Sequence, residues 1–322
     1  MSRDKLIVKH EKVIVSAPSS IANLGCLFDI AAMAVNYGRD VVKVIVKRGS
    51  GIQVISSDFE VPSGKRNTAY RTIEAFLDKV GLSIQEIAID VKITKRIKPG
   101  IGLGSSGATS AAVAKALNEA FGEPLSLDEL VEVAGQGEVV AAGSAHYDNV
   151  AASLLGGIVV IVQRYPIKVI RIEPPNNVSI LLISPKYVKI PLRGGKTGFF
   201  RKILPPKVDL SEMVEQCATV SKFFVSLMRR DLEMLGRAMS RGGIVERERS
   251  KFIPNYWRIK EIVLKSGALG FNIAGAGPSM FALVRKSESA QVLDIVKNKL
   301  SEIGVKAEFK LLEPEPVGAR LE

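Results

Sequence analysis

Between Lys98 and Ala112 the chain reads Lys-Pro-Gly-Ile-Gly-Leu-Gly-Ser-Ser-Gly-Ala-Thr-Ser-Ala-Ala, three spaced glycines and two serines at the mouth of an alanine-rich run. An alanine-rich run of this kind is a helix, and a helix entered through glycines leaves its first N–H groups pointing out of the end with the positive pole of the dipole. Gly100, Gly102 and Gly104 let the backbone take positive φ and approach a ligand closely, so the segment is built to cradle phosphate. Ser105 and Ser106 add hydroxyls for a phosphate oxygen or a Mg²⁺ ion. A Walker loop is excluded because the lysines, Lys95 and Lys98, precede the glycines instead of following them. Gly102-Leu-Gly104-Ser-Ser-Gly107 matches a dinucleotide fingerprint in letters, but about a hundred residues precede it where a first strand is required. On these residues alone, a glycine turn with a helix cap and no ligand is the competing reading.

The chain has 322 residues, 47% of them hydrophobic, enough for two well-packed domains. Its longest apolar stretch, Leu154 to Val162, is broken by Gly156 and Gly157 and is too short to span a bilayer. No apolar signal core follows Met1-Ser-Arg-Asp-Lys, so a cytoplasmic protein with no membrane partner is expected. Two cysteines and two histidines exclude a disulfide scaffold and a structural zinc site. The net charge of +12 suits anionic ligands, yet the basic residues are dispersed and aromatics are only 6%, which argues against nucleic acid.

Strand composition marks 13–16, 40–47, 51–56 and 87–94. Residues 69–80 have helical spacing behind Asn67 or Thr68 as cap, the glycine loop opens a helix to about Phe121, and a further helix over 127–141 carries Glu138. Residues 154–162 read as a buried strand. Beyond Arg164-Tyr-Pro the strands restart at 167–172 and 179–184, followed by helices near 210–228 and 255–265. A strand, strand, helix, strand series then runs over 270–274, 280–284, 289–303 and 305–310. The class is α+β, with domains expected at 1–165 and 166–322.

Three further motifs carry candidate chemistry. Asn23 and Asp29 stand in Ala17-Pro-Ser-Ser-Ile-Ala-Asn-Leu-Gly-Cys-Leu-Phe-Asp, which alone reads equally as a loop with an Asx turn. Glu138 is followed by His146-Tyr-Asp148-Asn149, a set suited to a small polar substrate, although His146 by itself is an ordinary structural histidine. Gly275 and Gly277 lie in Ala274-Gly-Ala-Gly-Pro-Ser, a turn where backbone passes close to something.

Taken in order, Asn23-Leu-Gly…Phe28-Asp29, Gly102-Leu-Gly-Ser-Ser106, His146-x-Asp-Asn-Val-Ala and Gly275-Ala-Gly-Pro resemble the motif series of the GHMP small-molecule kinases, and among them the archaeal homoserine kinases. Thr197-Gly-Phe-Phe-Arg201 and Arg249-Ser-Lys-Phe-Ile-Pro-Asn-Tyr256 extend the resemblance over nearly the whole chain. The resemblance implies a two-domain GHMP kinase fold, with a ribosomal-protein-like N-terminal ATP-binding domain and a ferredoxin-like C-terminal domain. It implies transfer of the γ-phosphate of ATP to the hydroxyl of L-homoserine, in a protein that is commonly a homodimer. Pro99, Gly100, Gly102, Leu103, Gly104, Ser105, Ser106 and Gly107, with Asn67 and Lys95, would serve the nucleotide, and Ser106 with Glu138 would hold Mg²⁺. Asn23, Asp29, His146, Asp148 and Thr197 would surround the amino acid, Asp29 pairing with its ammonium. Arg201 and Arg249 would grip its carboxylate, and Asn149 would orient the attacking hydroxyl. No strong base stands out; the proton leaves to phosphate or to Asp148 or Asp29.

Three positions depart from the family pattern. Cys26-Leu27 replaces a Pro-Gly pair, Gly107 stands where alanine is usual, and Ala145-His-Tyr replaces Gly-His-Pro. A kinase for pantoate, shikimate or mevalonate therefore stays open, as does a non-catalytic nucleotide- or nucleic-acid-binding protein.

Overall fold

The valine- and isoleucine-rich segments pair into one sheet in a computed structural model that describes residues 8–59, 61–62, 64–142, 146–186 and 196–322. β1 (Lys12–Ala22), β2 (Ala31–Arg48), β3 (Gly51–Ser57) and β4 (Ile87–Thr94) lie in the order β1-β2-β4-β3, antiparallel except for β3 against β4. β5 (Ile158–Arg164) pairs with the start of β2 and returns as β6 (Ile167–Ile172). Position 165 is thus the tip of a hairpin within the first sheet.

Four helices cover this sheet: α1 (Thr68–Val80), α2 (Ser105–Ala120), α3 (Leu127–Ala142) and α4 (Tyr147–Leu155). Asn67 caps α1 by accepting from the Ala69 N–H at 2.9 Å, and Gly81 ends it at φ 72°. α2 is buried on nearly every side, which explains its alanines: small side chains let the sheet and neighbouring helices approach from all directions. The segment expected as a strand over 154–162 is instead the end of α4, a glycine corner, and β5. Gly156 and Gly157 take φ 73° and 66°, a left-handed step that stops the helix and redirects the chain into the sheet.

The second sheet holds β7 (Val178–Pro185), β8 (Gly270–Ile273), β9 (Met280–Arg285) and β10 (Ala307–Leu312) in the antiparallel order β10-β7-β9-β8, the strand arrangement of a ferredoxin-like unit. Its helical layers are α5 (Lys196–Lys202), α6 (Leu210–Arg229), α7 (Leu232–Met239), α8 (Gly243–Ser250), α9 (Tyr256–Lys265) and α10 (Ser289–Glu302). Alternation along β7 serves two cores. Leu181 and Ile183 pack with Val263, Val296 and Leu300 of α9 and α10, while Ile180 and Leu182 face the core that continues into the first sheet. The chain ends by returning to the first sheet, where β11 (Arg320–Leu321) pairs with β1.

Candidate active site

The glycine loop does what its sequence requires. Gly100, Gly102 and Gly104 take φ 78°, 88° and 62°, and Gly104 is the residue on which α2 begins, with no side chain capping the helix. The reason for glycine at 102 is contact: a Cβ there would lie 2.3 Å from the Ala274 carbonyl oxygen. At 104 it would lie 2.3 Å from Ser20 Oγ and 2.7 Å from Asn149 Oδ1. The loop therefore meets the backbone of the 274–277 turn and the side chains of Ser20 and Asn149, around a cavity of about 480 Å³. Gly107 lies inside α2, where a Cβ would be 3.1 Å from that of Asn149, so it serves helix packing instead of lining the cavity.

At the helix mouth, Ser106 Oγ donates to Glu138 Oε2 at 2.9 Å. Glu138 Oε1 is buried with no hydrogen-bond partner among the described residues. Burial pushes this carboxyl up to about 7, with the Ser106 hydrogen bond and the Lys95 charge opposing the shift. A buried carboxylate oxygen left open beside a hydroxyl and an uncapped helix fits a hard divalent cation that keeps several waters. Asn149 is held on the far side, its Oδ1 accepting from Ser20 Oγ at 2.9 Å, which leaves its NH₂ to donate.

Lys95 is used differently from the sequence expectation. Its ammonium pairs with Asp40 Oδ2 and donates to the Ser105 carbonyl at 2.8 Å and Thr109 Oγ1 at 2.9 Å, so its three hydrogens are spent inside the protein. Asp40, fully buried, also accepts from the Arg96 and Ile97 N–H groups at 2.9 and 3.0 Å. The pair ties β2 and the end of β4 to the first turn of α2, and so fixes the loop from behind. Lys95→Met is expected to destabilise the protein by about 3 kcal/mol, because it strands a buried carboxylate, and Asp40→Asn with Lys95→Met to recover most of the loss. Equilibrium unfolding in denaturant checks both.

The other end of the cavity carries the ionic groups. Asn23 Nδ2 donates to the Gly275 carbonyl at 3.1 Å while its Oδ1 accepts from the Asp29 N–H at 3.1 Å. Arg249 Nη1 donates to the same Gly275 carbonyl at 2.8 Å. The Arg201 and Arg249 guanidinium carbons sit 5.4 and 5.1 Å from the Phe28 ring centre, a shared apolar face for two cations. Arg201 Nη2 is paired with Asp29 Oδ2 at 2.5 Å. The Nε atoms of both arginines are buried and unpartnered among the described residues. Burial lowers Arg249 to about 10.

His146 precedes the first turn of α4, and burial brings its pKa to about 4, helped by the charges of Arg201, Arg249 and Arg164. It is a neutral hydrogen-bonding group at neutral pH. Asp148 moves the other way, up to about 7, first by burial and then by the Asp29 charge. Its Oδ1 accepts from the Asn149 N–H at 2.8 Å, and Oδ2 is buried without a partner among the described residues.

The cavity thus gathers Asn23, Asp29, Asn67, Lys95, Pro99, Gly100, Gly102, Leu103, Gly104, Ser105, Ser106, Glu138, His146, Asp148, Asn149, Arg249 and Gly275 from widely separated stretches of chain. Arg201 joins through Asp29. Gly277 shapes the turn behind Gly102 without lining the cavity. The Ser105 hydroxyl is turned to the Ile97 carbonyl, leaving only its backbone for a ligand. Thr197 falls in α5, but its side chain lies outside the described residues. Sequence reasoning misses Ser20, Phe28, Asp40 and Thr109.

These features define a kinase of small molecules whose phosphate loop touches the 274–277 turn of a ferredoxin-like lobe and opens a helix buried against the first sheet. The model of the GHMP kinases N terminal domain matches residues 67–157, and that of the GHMP kinases C terminal domain matches 223–302. A homoserine kinase of Pyrobaculum aerophilum is 33% identical over 92% of this chain and 96% of its own. A homoserine kinase of Aeropyrum pernix is 36% identical over 85% of this chain and 87% of its own. Among solved structures, a homoserine kinase from Cytophaga hutchinsonii is 32% identical, with a TM-score of 0.84 over 98% of both chains. The chain belongs to the GHMP kinase family.

Proposed function

We propose that this kinase transfers the γ-phosphate of ATP to the hydroxyl of L-homoserine, giving O-phospho-L-homoserine on the route to threonine. The observation that carries the reading is the ionic end of the cavity, where Asp29 and Arg249 line the wall, Arg201 is paired with Asp29 at 2.5 Å, and the Nε–H donors of both arginines are unspent among the described residues. A planar guanidinium pair suits the α-carboxylate and Asp29 suits the ammonium. Names given to relatives across archaea support the same substrate.

The residues present fit ATP and Mg²⁺. The N–H groups at the start of α2 would receive phosphate oxygens, and Glu138 with Ser106 would hold the ion. When bound, Mg²⁺ neutralises charge on the transferring phosphoryl group. Asn149, braced by Ser20, directs its NH₂ toward the acceptor oxygen and keeps the hydroxyl in line. Phosphoryl transfer passes through a loose transition state, so positioning and charge balance carry most of the rate. His146, neutral and weakly basic, positions substrate and does not take the proton. Asp148 has the better matched pKa, with an open Oδ2, and is the protein group suited to receive the hydroxyl proton if phosphate does not. We place the lobe changeover between β6 and β7, and the protein in the cytoplasm; among the described residues no helix is long and apolar enough to cross a membrane.

The test is coupled ADP release with ATP, Mg²⁺ and a panel of L-homoserine, L-serine, L-threonine, mevalonate, pantoate and shikimate. Release well above the rest with L-homoserine is the expected result. A different preferred acceptor overturns the substrate, and no release from folded, ATP-binding protein favours a binding module instead.

A further inference from the structure

Helix α8 is seated by polar contacts. Its buried side chains are Glu246, Arg249 and Ser250, none of them apolar, while Ile244 and Val245 are half-buried. A surface helix ordinarily docks through an apolar stripe, whose contacts have no direction and tolerate small slides and rolls. Hydrogen bonds fix both position and angle. Arg249 lines the active-site cavity, and the Ser250 hydroxyl turns back to the Arg247 carbonyl of its own helix. Glu246 is therefore the buried side chain that ties α8 to its neighbours outside the cavity.

Every group that meets the Glu246 carboxylate is a donor. Tyr256 Oη and Lys260 Nζ each donate to Oε1 at 2.5 Å, and the Gly242 N–H donates to Oε2 at 2.9 Å. Lys260 also donates to the Ser240 carbonyl at 2.5 Å. Tyr256 and Lys260 stand one turn apart on α9, Ser240 closes α7, and Gly242 opens α8. One carboxylate, 5% exposed, thus joins three helices. Only a side chain that accepts with both oxygens serves all of them, since an amide here would set its NH₂ against the Gly242 N–H or against the Lys260 ammonium.

Arg249 follows Glu246 by three residues, on the same face of α8. The two line one small recess with Asn23, Gly25, Asn272 and Gly275. The two arginines of the ionic end are aimed by different means. Arg201 is held by Asp29, whereas Arg249 is held by the Gly275 carbonyl and the face of Phe28, with its Nε unpartnered among the described residues. The direction of the Arg249 guanidinium is thus set largely by the helix that carries it. A roll of α8 by about 10° moves a group about 6 Å from the axis by about 1 Å, a misplacement that can cost up to about a hundredfold in rate. We propose, on the reading that Arg249 binds the carboxylate of the acceptor, that Glu246 is a positioning residue: it fixes the roll of α8 against α9 and so aims Arg249, with no contact of its own to the substrate.

Glu246→Gln is expected to raise KM for L-homoserine about tenfold while KM for ATP stays within about twofold, and Tyr256→Phe, which removes one hydroxyl and no charge, to raise it about threefold. A double-mutant cycle with Arg249→Lys separates aiming from general weakening. With the guanidinium gone there is nothing to aim, so adding Glu246→Gln to Arg249→Lys is expected to change kcat/KM for L-homoserine by less than about twofold, whereas a merely structural carboxylate costs the same factor in both backgrounds. Circular dichroism and the denaturant midpoint establish that each variant is folded under assay conditions; if Glu246→Gln is not, Tyr256→Phe carries the same cycle. An unchanged KM in the single variants, or equal factors in the two backgrounds, overturns the role of Glu246. Wild-type turnover with another carboxylate acceptor in place of L-homoserine overturns the homoserine reading alone, and the cycle then reads kcat/KM for that acceptor. No turnover with any acceptor overturns both.

Discussion

Glu138→Gln is expected to lower kcat by about 10²- to 10³-fold at saturating ATP and homoserine, the loss associated with removing one preorganised charge-stabilising group. Gln keeps the shape of the side chain and can still meet Ser106 Oγ. It removes only the charge, which the open Oε1 holds at the mouth of α2. The reduction should come with little change in KM for homoserine, because Glu138 lies at the phosphate end of the cavity and Asp29 at the other. Steady-state ADP release over a Mg²⁺ titration checks it. A requirement for more Mg²⁺ in the variant supports a role at the metal, whereas wild-type turnover at ordinary Mg²⁺ would sink it.

The same substitution has an opposite effect on the free protein. Burial raises the Glu138 pKa from 4.5 to about 7, so the folded state holds a proton that the unfolded chain has released. Stability from this group is fully present below about pH 4.5 and is lost as pH rises through about 7, at most about 3 kcal/mol. Glu138→Gln, which has no proton to lose, is expected to unfold at higher denaturant than wild type at about pH 8 and at nearly the same denaturant at about pH 4.5. Chemical denaturation at the two pH values, without metal or nucleotide, decides it. A residue that stabilises the free fold when neutralised and cripples turnover is held for function at the expense of stability.

The glycine loop and the order of motifs are legible in the chain because their chemistry is local. A helix mouth, a left-handed turn and a cap are each set by residues within a few positions, and Gly100, Gly102, Gly104 and Asn67 adopt the expected conformations. What the letters conceal depends on contacts across long separations. Asp40 looks like one more polar residue in a strand, yet it meets Lys95 and Thr109 from the far side of β2. Ser20 meets Asn149 from 129 residues away. Phe28 is one apolar letter of its motif, and only the fold sets two arginines over it. A lysine near a phosphate loop suggests a phosphate contact, and the letters give no sign that a partner 55 residues upstream, Asp40, pairs with the Lys95 ammonium. The segment over 154–162 misleads for another reason. A short apolar run has no periodicity to separate strand from helix, and the corner at Gly156 and Gly157 divides it between the two.

Asp29→Asn is expected to raise KM for homoserine by about 10²- to 10³-fold while leaving KM for ATP within about twofold, the range for removing one partner of a desolvated charge pair. In the ligand-free site Asp29 and Arg201 satisfy each other at 2.5 Å. A zwitterion can enter without leaving charge unpaired: its carboxylate takes the guanidinium and its ammonium takes the carboxylate. An acid lacking an ammonium can do only half of this. It would capture Arg201 and abandon Asp29 beside Asp148, whose pKa the Asp29 charge already raises. The ion pair is then a filter against hydroxy acids of the right size, acting through the cost of an uncompensated charge and needing no steric clash. Neutralising Asp29 removes that cost, so the variant should lose homoserine while its ratio of kcat/KM for pantoate over homoserine rises at least as steeply as KM for homoserine. Competition between the two acceptors in the ADP-release assay reads the ratio. If Asp29→Asn discriminates between them as wild type does, selection lies in the shape of the pocket and the ion pair has no part in it.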